Sequence, residues 1–156
     1  FQASATNEDG SGATCFSAQS SRTTASHTDP NSPSDPCFST NSQTVTVNLL
    51  GCSIELQDTK IAAEYSSTSD PNALSNGVIR GFVSESEAKK CTVTNSFLCK
   101  RSQNNSQTTR FPNLYEILDH SNDSCGFPGD KDTNGGTPGW WFYINVTTAG
   151  EVEWTE

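Results

Sequence analysis

The chain has 156 residues, of which 31% are hydrophobic, and a formal net charge of −9 at pH 7. This length suits one domain, and the small share of hydrophobic residues predicts a thin core. The acidic balance excludes nucleic acid as a partner, because affinity for nucleic acid comes largely from lysines and arginines that neutralise phosphates. No apolar run approaches the ~20 residues of a membrane-spanning helix, so we expect no span within this chain.

Six cysteines provide a second source of stability. They lack a zinc-type CxxC spacing, so we expect three disulfides, each contributing ~2–4 kcal/mol by restricting the unfolded chain. Disulfides form in oxidising compartments, which predicts an extracellular or cell-surface protein. The sequence leaves the pairing open. The cysteines are Cys15, Cys37, Cys52, Cys91, Cys99 and Cys125.

The first part of the chain, residues 1–44, consists mainly of Ser, Thr, Asn, Asp, Gly and Pro. It shows no helical or strand period, so we predict a polar arm attached through its cysteines to a globular domain at 45–156. The large hydrophobic residues of the arm are Phe1, Phe16 and Phe38. They have two interpretations of equal weight: an interface with another copy or a companion chain, or anchors that hold a loop on its own domain.

Strand patterns begin where the arm ends. Val45, Val47 and Leu49 alternate with polar residues, which predicts a strand. The hydrophobic positions then change parity, which predicts a bulge or tight bend at 50–51. Residues 58–65 favour a short helix over a further strand.

The middle of the chain predicts one further strand and two short helices. Residues 77–83 have strand-like composition interrupted by glycines, and a helical turn follows, capped by Ser84 or Ser86. Leu114, Ile117 and Leu118 lie at helical spacing. The stretch 121–139 is predicted to be a long loop, which in a compact domain is typically functional or mobile.

The last eighteen residues, 139–156, contain all three tryptophans. Strand-like residues 140–146, a small turn and a second strand carrying Trp154 predict an aromatic hairpin that seeds the core. The functional alternative is an exposed platform for sugar or protein. Its rings would be Trp140, Trp141 and Tyr143. The predicted fold is therefore β-rich, an antiparallel sheet with one or two short helices and α+β as an alternative, in one disulfide-stapled domain.

One oxygen-rich segment suggests calcium. Asp130, Asp132 and Asn134, followed by Gly135, match the opening of a calcium loop, in which alternate side chains direct oxygens toward one ion. The twelfth position is Trp141 rather than a bidentate glutamate. The alternative is an acidic, glycine-rich surface turn, and no other cofactor is predicted.

Three N-x-[ST] sequons are candidate glycosylation sites on a secreted protein. They begin at Asn104, Asn122 and Asn145. The first two lie in predicted loops, whereas the third lies in the aromatic strand, on its predicted outer face. Modification there would require that face to be exposed.

Catalytic patterns are missing from the sequence. His27 and His120 have no metal-ligand spacing, and no G-x-S-x-G nucleophile elbow is present. We therefore expect a protein that is not an enzyme.

The end of the chain resembles the globular heads of type IV pilins and pseudopilins. Those heads often end in an aromatic strand, a small turn and a short last strand, preceded by acidic loops that sometimes bind calcium. The matching segments are DKDTNGG at 130–136, WWFYINV at 140–146, TTAG at 147–150 and EVEW at 151–154. The resemblance covers 126–156 and implies a filament subunit. Residues 1–44 contain no long apolar pilin helix, which would then have been removed or would lie on another chain, and the usual closing cysteine is absent.

These observations favour an extracellular structural or adhesive protein, a globular subunit of a pilus-like filament that acts by self-assembly or with a companion filament chain. The first alternative is a secreted carbohydrate-binding module that uses exposed aromatic rings. The second is a small secreted hydrolase or inhibitor. Exposure of the tryptophans discriminates the first alternative from assembly.

Overall fold

The fold was examined in a computed structural model, which describes residues 15–16, 30–34, 36–49, 51–65, 73–92, 100–103, 107–110, 113–119 and 131–146. The strands in these ranges are β1 (Cys37–Ser39), β2 (Gln43–Leu49), β3 (Cys52–Tyr65), β4 (Leu74–Ser84), β5 (Lys100–Gln103), β6 (Gln107–Arg110), β7 (Lys131–Asn134) and β8 (Thr137–Val146). The helices are α1 (Glu85–Lys90) and α2 (Leu114–Leu118). The predicted β-rich fold with short helices is confirmed.

Six strands form one antiparallel sheet in the order β1-β3-β4-β8-β7, with β2 also paired to β3. Strands β1 and β2 follow each other along one side of β3, where β1 pairs with 62–64 and β2 with 52–59. Strands β5 and β6 form a separate two-stranded sheet. The long strands β3 and β4 therefore form the centre of the domain.

The change of parity at 50–51 marks a hairpin. Leu49 pairs with Cys52, so β2 folds back onto β3 through a two-residue turn in which Gly51 has a φ of 87°. Such turns favour glycine because it adopts positive φ without a steric penalty. The predicted tight bend is correct, and the alternative of a bulge within one continuous strand is wrong.

The predicted helix at 58–65 is wrong, because these residues continue β3. Ile61 pairs with Ile79 of β4, and Ala62 and Ala63 are both buried. Neighbouring residues of a strand point to opposite faces, so the sheet is covered on both faces here and the expected alternation is absent. A register shift beside Asp58, whose φ is 49°, adds to the irregular pattern.

Each helix begins at a polar side chain that satisfies a free backbone N–H group. Ser84 Oγ accepts a hydrogen bond from Glu87 N at 3.2 Å, which confirms Ser84 as the cap of α1. Asn113 Oδ1 accepts from Glu116 N at 3.0 Å and caps α2. The predicted helix around 114–118 is also confirmed.

The two helices pack against one end of the sheet and enclose the larger hydrophobic cluster, which we call the helix-side core. It consists of Ile54, Leu56, Val83, Ala88, Cys91, Leu114, Leu118 and Trp140. A disulfide between Cys52 and Cys91 joins β3 to the end of α1. Gly139 permits the close approach of β8 to β4, because a Cβ atom there would lie 2.2 Å from Val83 O.

The opposite face of the sheet carries a smaller cluster, which we call the arm-side cluster. Val78 lies five residues before Val83 in β4, so the two side chains point to opposite faces. The members are Phe16, Ala62 and Val78, with Tyr143 packed against them. This face is therefore covered by a residue from the predicted arm.

The predicted domain boundary at residue 44 falls inside a strand. Strand β1 and the start of β2 both precede this boundary, and Pro33 is fully buried. A disulfide joins Cys15 to Cys37 of β1. The described residues of 1–44 are thus part of the folded domain. Within the described ranges, no helix is long and apolar enough to cross a membrane.

Candidate interaction surface

The aromatic strand β8 packs into the helix-side core near its amino-terminal end. Trp140 is 3% exposed and contacts Tyr115 of α2 edge-to-face, with 5.9 Å between ring centroids. The prediction that this tryptophan fills the core is confirmed. The proposed return strand with Trp154 lies outside the described residues.

Trp141 and Tyr143 of β8 are half-buried and make contacts on the arm side. Trp141 contacts Phe82 at 5.1 Å between ring centroids, and Tyr143 contacts Phe16 at 6.1 Å. The guanidinium of Arg80 lies 4.9 Å from the centroid of Trp141 and covers one face of its ring. A sugar platform built from Trp140, Trp141 and Tyr143 gains no support, because Trp140 is buried and the other two rings already contact side chains of the arm-side face.

Arg80 lies at the centre of the arm-side face and was not anticipated as a functional residue. It is 6% exposed, its guanidinium lies 5.9 Å from the ring of Phe16, and it forms an ion pair with Asp58 Oδ2 at 3.4 Å. The sequence did contain a signal for it, which is a single arginine within the apolar run of β4. A charge buried in such a strand needs a partner, so this arginine predicts a specific contact. This arginine joins the sheet to the amino-terminal segment.

Two of the three proposed interface phenylalanines are inside the chain. Phe16 is 5% exposed and Phe38 is 8% exposed, with Phe38 packed 5.6 Å from the ring of Tyr65. The interface prediction is wrong for these two residues, because their rings have little surface left for a second chain. They act as anchors of the amino-terminal segment, the alternative interpretation. Phe1 lies outside the described residues.

The candidate calcium segment is a β-hairpin rather than a loop. Strand β7 turns into β8 through Gly135 and Gly136, which have φ values of 57° and 83° and fit a two-residue hairpin turn. Asp132 Oδ1 accepts a hydrogen bond from Thr133 N at 2.7 Å. The predicted loop is wrong at 131–139, since 131–134 pair with 137–140 as neighbouring strands.

The calcium site itself stays a prediction. Asp132 and Asn134 lie on one face of β7, two residues apart, whereas Asp130 lies outside the described residues. Among the described residues, no three His, Cys, Asp or Glu side chains are grouped to hold a metal ion.

The sequon in β8 faces the amino-terminal segment. Asn145 is half-buried, and its Oδ1 accepts a hydrogen bond from Asn31 N at 2.8 Å. Asn31 also donates from Nδ2 to Gly77 O at 2.8 Å. The amino-terminal segment therefore covers the face on which this sequon lies. Asn104 and Asn122 lie outside the described residues.

Four of the six cysteines form disulfides in the described part of the chain. The pairs are Cys15 with Cys37 and Cys52 with Cys91. Cys99 and Cys125 lie outside it. Two disulfides are consistent with an oxidising, extracellular environment.

A charged cluster on the helix side ties α1 and α2 to β7. Lys131 Nζ lies 2.8 Å from Glu85 Oε2 and 3.5 Å from Asp119 Oδ1, and Lys89 also pairs with Glu85. Hydrogen bonds from Lys131 and then Lys89 hold the pKa of Glu85 below its ordinary value. The hydroxyl of Tyr115 donates to Asp119 Oδ2 at 2.7 Å. These groups neutralise one another, which suits a structural role better than proton transfer.

Three isoleucines form a continuous row across the helix-side face of the sheet. Ile61 of β3 pairs with Ile79 of β4, which pairs with Ile144 of β8, so the three side chains share one face. Ile144 is 44% exposed and the other two are half-buried. We call this set the isoleucine row. It lies beyond the end of the sheet that the helices cover.

Strands β7 and β2 lie at opposite edges of the six-stranded sheet and differ in length and charge. Strand β7 has four residues, including Lys131 and Asp132, and short charged edges discourage pairing with another chain. Strand β2 has seven residues with neither charge nor proline, and within the described residues it pairs with β3 alone. Its exposed side chains are Gln43, Thr44, Thr46 and Asn48. We call β2 the open edge.

Comparison with family models, with curated proteins and with solved structures gives no match to this chain. Neither the isoleucine row nor the open edge was anticipated from the sequence. The alternation of Val with Thr in β2 predicted a strand, but it did not predict that the strand lies at an edge of the sheet. A functional proposal therefore depends on the surfaces of this chain alone.

Proposed function

We propose that this protein is an extracellular structural or adhesive subunit, the globular head of a pilus-like filament, and that it acts by assembly rather than catalysis. The observation that supports this proposal is the isoleucine row. A chain with 31% hydrophobic residues has little apolar surface to spare, and yet Ile144 is 44% exposed. Contiguous apolar surface of this kind is typical of interaction sites.

The proposal is strengthened because large apolar side chains elsewhere in the described part of the chain are buried. Trp140, Phe16 and Phe38 are buried within the chain. Among the described residues, Ile144 is the exposed large hydrophobic side chain. A partner that covered the row would remove this surface from water, at about 25 cal/mol per Å² of apolar area.

The charges of the described surface also favour a structural role. Glu85 pairs with Lys89 and Lys131, and Glu87 pairs with Lys90 at 2.8 Å. The buried Arg80 pairs with Asp58. These groups join elements of the fold, so their pairing supports stability and hydration of the surface rather than a reaction.

The net charge of −9 shapes the way in which copies associate. Identical acidic molecules repel one another, and salt screens that repulsion over about 10 Å at 0.1 M. Contact therefore requires apolar or uncharged regions, and we expect association to strengthen as the salt concentration rises.

The test is to replace Ile144 with serine and to compare self-association by sedimentation velocity over a range of concentrations. Because the row is half-exposed, Ile144→Ser should weaken association by roughly tenfold while leaving the fold intact. Thr137→Ser is a matched control, since it changes an exposed residue of β8 away from the row. Equal association of wild type and Ile144→Ser would remove the support for assembly through this row.

A further inference from the structure

The open edge has backbone pairing groups on the side that faces away from β3. In antiparallel pairing, alternate residues of a strand direct their N–H and C=O groups to opposite sides. Strand β2 uses one side for β3. Within the described residues no strand lies on its other side, and four of its side chains are exposed. An edge of this length without charge or proline is a template for another strand.

We propose that the open edge binds the open edge of a second copy, so that the two β2 strands pair antiparallel around a two-fold axis at Thr46. This inference rests on the proposed function and names the contact through which copies pair. The two sheets would then continue into each other. A two-fold contact of this kind uses the same surface on both copies.

The centre of β2, from Val45 to Val47, is self-complementary in this register. With Thr46 opposite Thr46 of the second copy, Val45 lies opposite the second copy's Val47, and Val47 opposite its Val45. Both valines are half-buried and pack against the helix-side core. Pairing would therefore join the two helix-side cores into one apolar layer, whereas a slip of one residue would place valine opposite threonine.

Charge favours a second copy as the occupant. A two-fold axis brings identical residues together, so any charge beside the axis would face the same charge. Strand β2 has none, although the whole chain carries −9. The nearest acidic group across the strand is Glu55, opposite Thr46 on β3. In the pair, two β2 strands would separate the two Glu55 residues by about 14 Å, at strand spacings of about 4.8 Å, which exceeds the Debye length in physiological salt.

The other end of the sheet does not offer the same contact. Strand β7 is short, Lys131 is engaged with Glu85 and Asp119, and Asp132 would lie near itself in a two-fold pair. Strand β1 has three residues and follows Pro36, which has no N–H to donate. The open edge is therefore the suitable site for pairing.

The experiment places a glutamate at the axis with Thr46→Glu. Thr46 is exposed, so the monomer is expected to fold, which circular dichroism checks. Two opposed glutamates beside two Glu55 residues should weaken self-association by at least roughly tenfold. Thr133→Glu is the matched control, because it adds the same charge to an exposed position of β7. It should associate as the wild type does.

Mixing provides a second measurement that does not depend on the stability of one variant. Thr46→Glu and Thr46→Lys, combined in equal amounts, should form a mixed pair more tightly than Thr46→Glu pairs with itself, because opposite charges now meet at the axis. Failure of the mixture to recover association would overturn the edge pairing.

The outcomes separate this inference from the proposed function. If wild type associates and Thr46→Glu associates equally, the edge pairing is wrong, whereas assembly through another surface stands. If wild type is monomeric at every concentration, self-assembly is wrong and the edge pairing fails with it. If Thr46→Glu and Thr133→Glu weaken association alike, the effect is one of net charge and the edge pairing is overturned.

Discussion

The two faces of the central sheet are closed by different means. On the helix side, α1 and α2 cover one end with apolar side chains around Trp140 and Val83. On the arm side, a polar amino-terminal segment contributes Phe16 and is joined to β1 by the disulfide of Cys15. A chain with few hydrophobic residues thus builds one conventional core and closes the second face with a single ring, polar contacts and a covalent link.

This difference shows where stability resides on each face. Removal of one apolar group on the helix side leaves a cavity among many neighbours that still pack against one another. Among the described residues, the arm side has a small set of contacts that act together: Phe16, Arg80 and Asn31 all connect the same segment to the sheet. The arm-side face should therefore open as a unit, whereas the helix-side core should fail with the whole fold.

The largest effect is expected from Trp140→Ala on the helix side. Removal of a buried large aromatic side chain should lower the free energy of unfolding by about 3–5 kcal/mol. Chemical denaturation at neutral pH measures it. Trp141→Ala is the control, because Trp141 is half-buried and should cost less. A change below about 1 kcal/mol for Trp140→Ala would contradict a core role.

A smaller effect is expected when the covalent link of the arm side is cut. Replacing both Cys15 and Cys37 with serine should lower the free energy of unfolding by about 2–4 kcal/mol, because the unfolded chain regains freedom. Hydrogen exchange should increase at Asn31 and Phe16 before it increases in α1. Equal loss of protection on both faces would show that the two faces do not differ.

The helix side also contains a local contact whose loss should be modest. Ser84→Ala removes the cap of α1 and should lower the free energy of unfolding by about 1 kcal/mol. Ser53→Ala makes the same change at an exposed position of β3, away from the cap, and should have little effect. Thermal unfolding of the two variants compares them directly. A similar loss in both would show that the cap is not what stabilises α1.

The smallest effect on stability is expected when the ion pairs of Glu85 are lost, either by substitution or at low pH. The folded-state pKa of Glu85 lies below its ordinary value, so its ion pairs stabilise the fold above that ordinary value, and this contribution is lost as the pH falls through the folded pKa. Glu85→Gln should therefore be less stable than wild type at pH 7 and similar to it at pH 3. The difference is small because Glu85 is only partly buried and the ammonium groups that it pairs with reach solvent, which screens the ion pairs. A constant difference at both pH values would rule out the charge as its cause.

Local patterns identified several elements of the fold correctly. The alternation of Val45 and Val47 found β2, Ser84 marked the start of α1, and helical spacing found α2. Each of these signals depends on neighbouring residues alone. These signals fail where tertiary contacts determine the secondary structure. Ala62 and Ala63 are an example, because both are buried in β3, whose two faces are covered there.

The surfaces were harder to predict than the strands. The Asn134 and Gly135 pair is a typical hairpin signal, but the same residues match a calcium loop, and only pairing with β8 distinguishes the two conformations. The isoleucine row joins three strands that are distant in sequence. Burial of Phe16 depends equally on distant residues, since its contacts are Tyr143 and Arg80.

The central claim is that this chain acts by associating with copies of itself through surfaces that its own fold leaves open. The most direct measurement is the weight-average mass of the oxidised wild-type protein by sedimentation equilibrium, over a wide concentration range and at low and high salt. We expect the mass to rise above the 16.8 kDa of one chain with concentration, and to rise further in high salt. A mass of 16.8 kDa under every condition would contradict the claim.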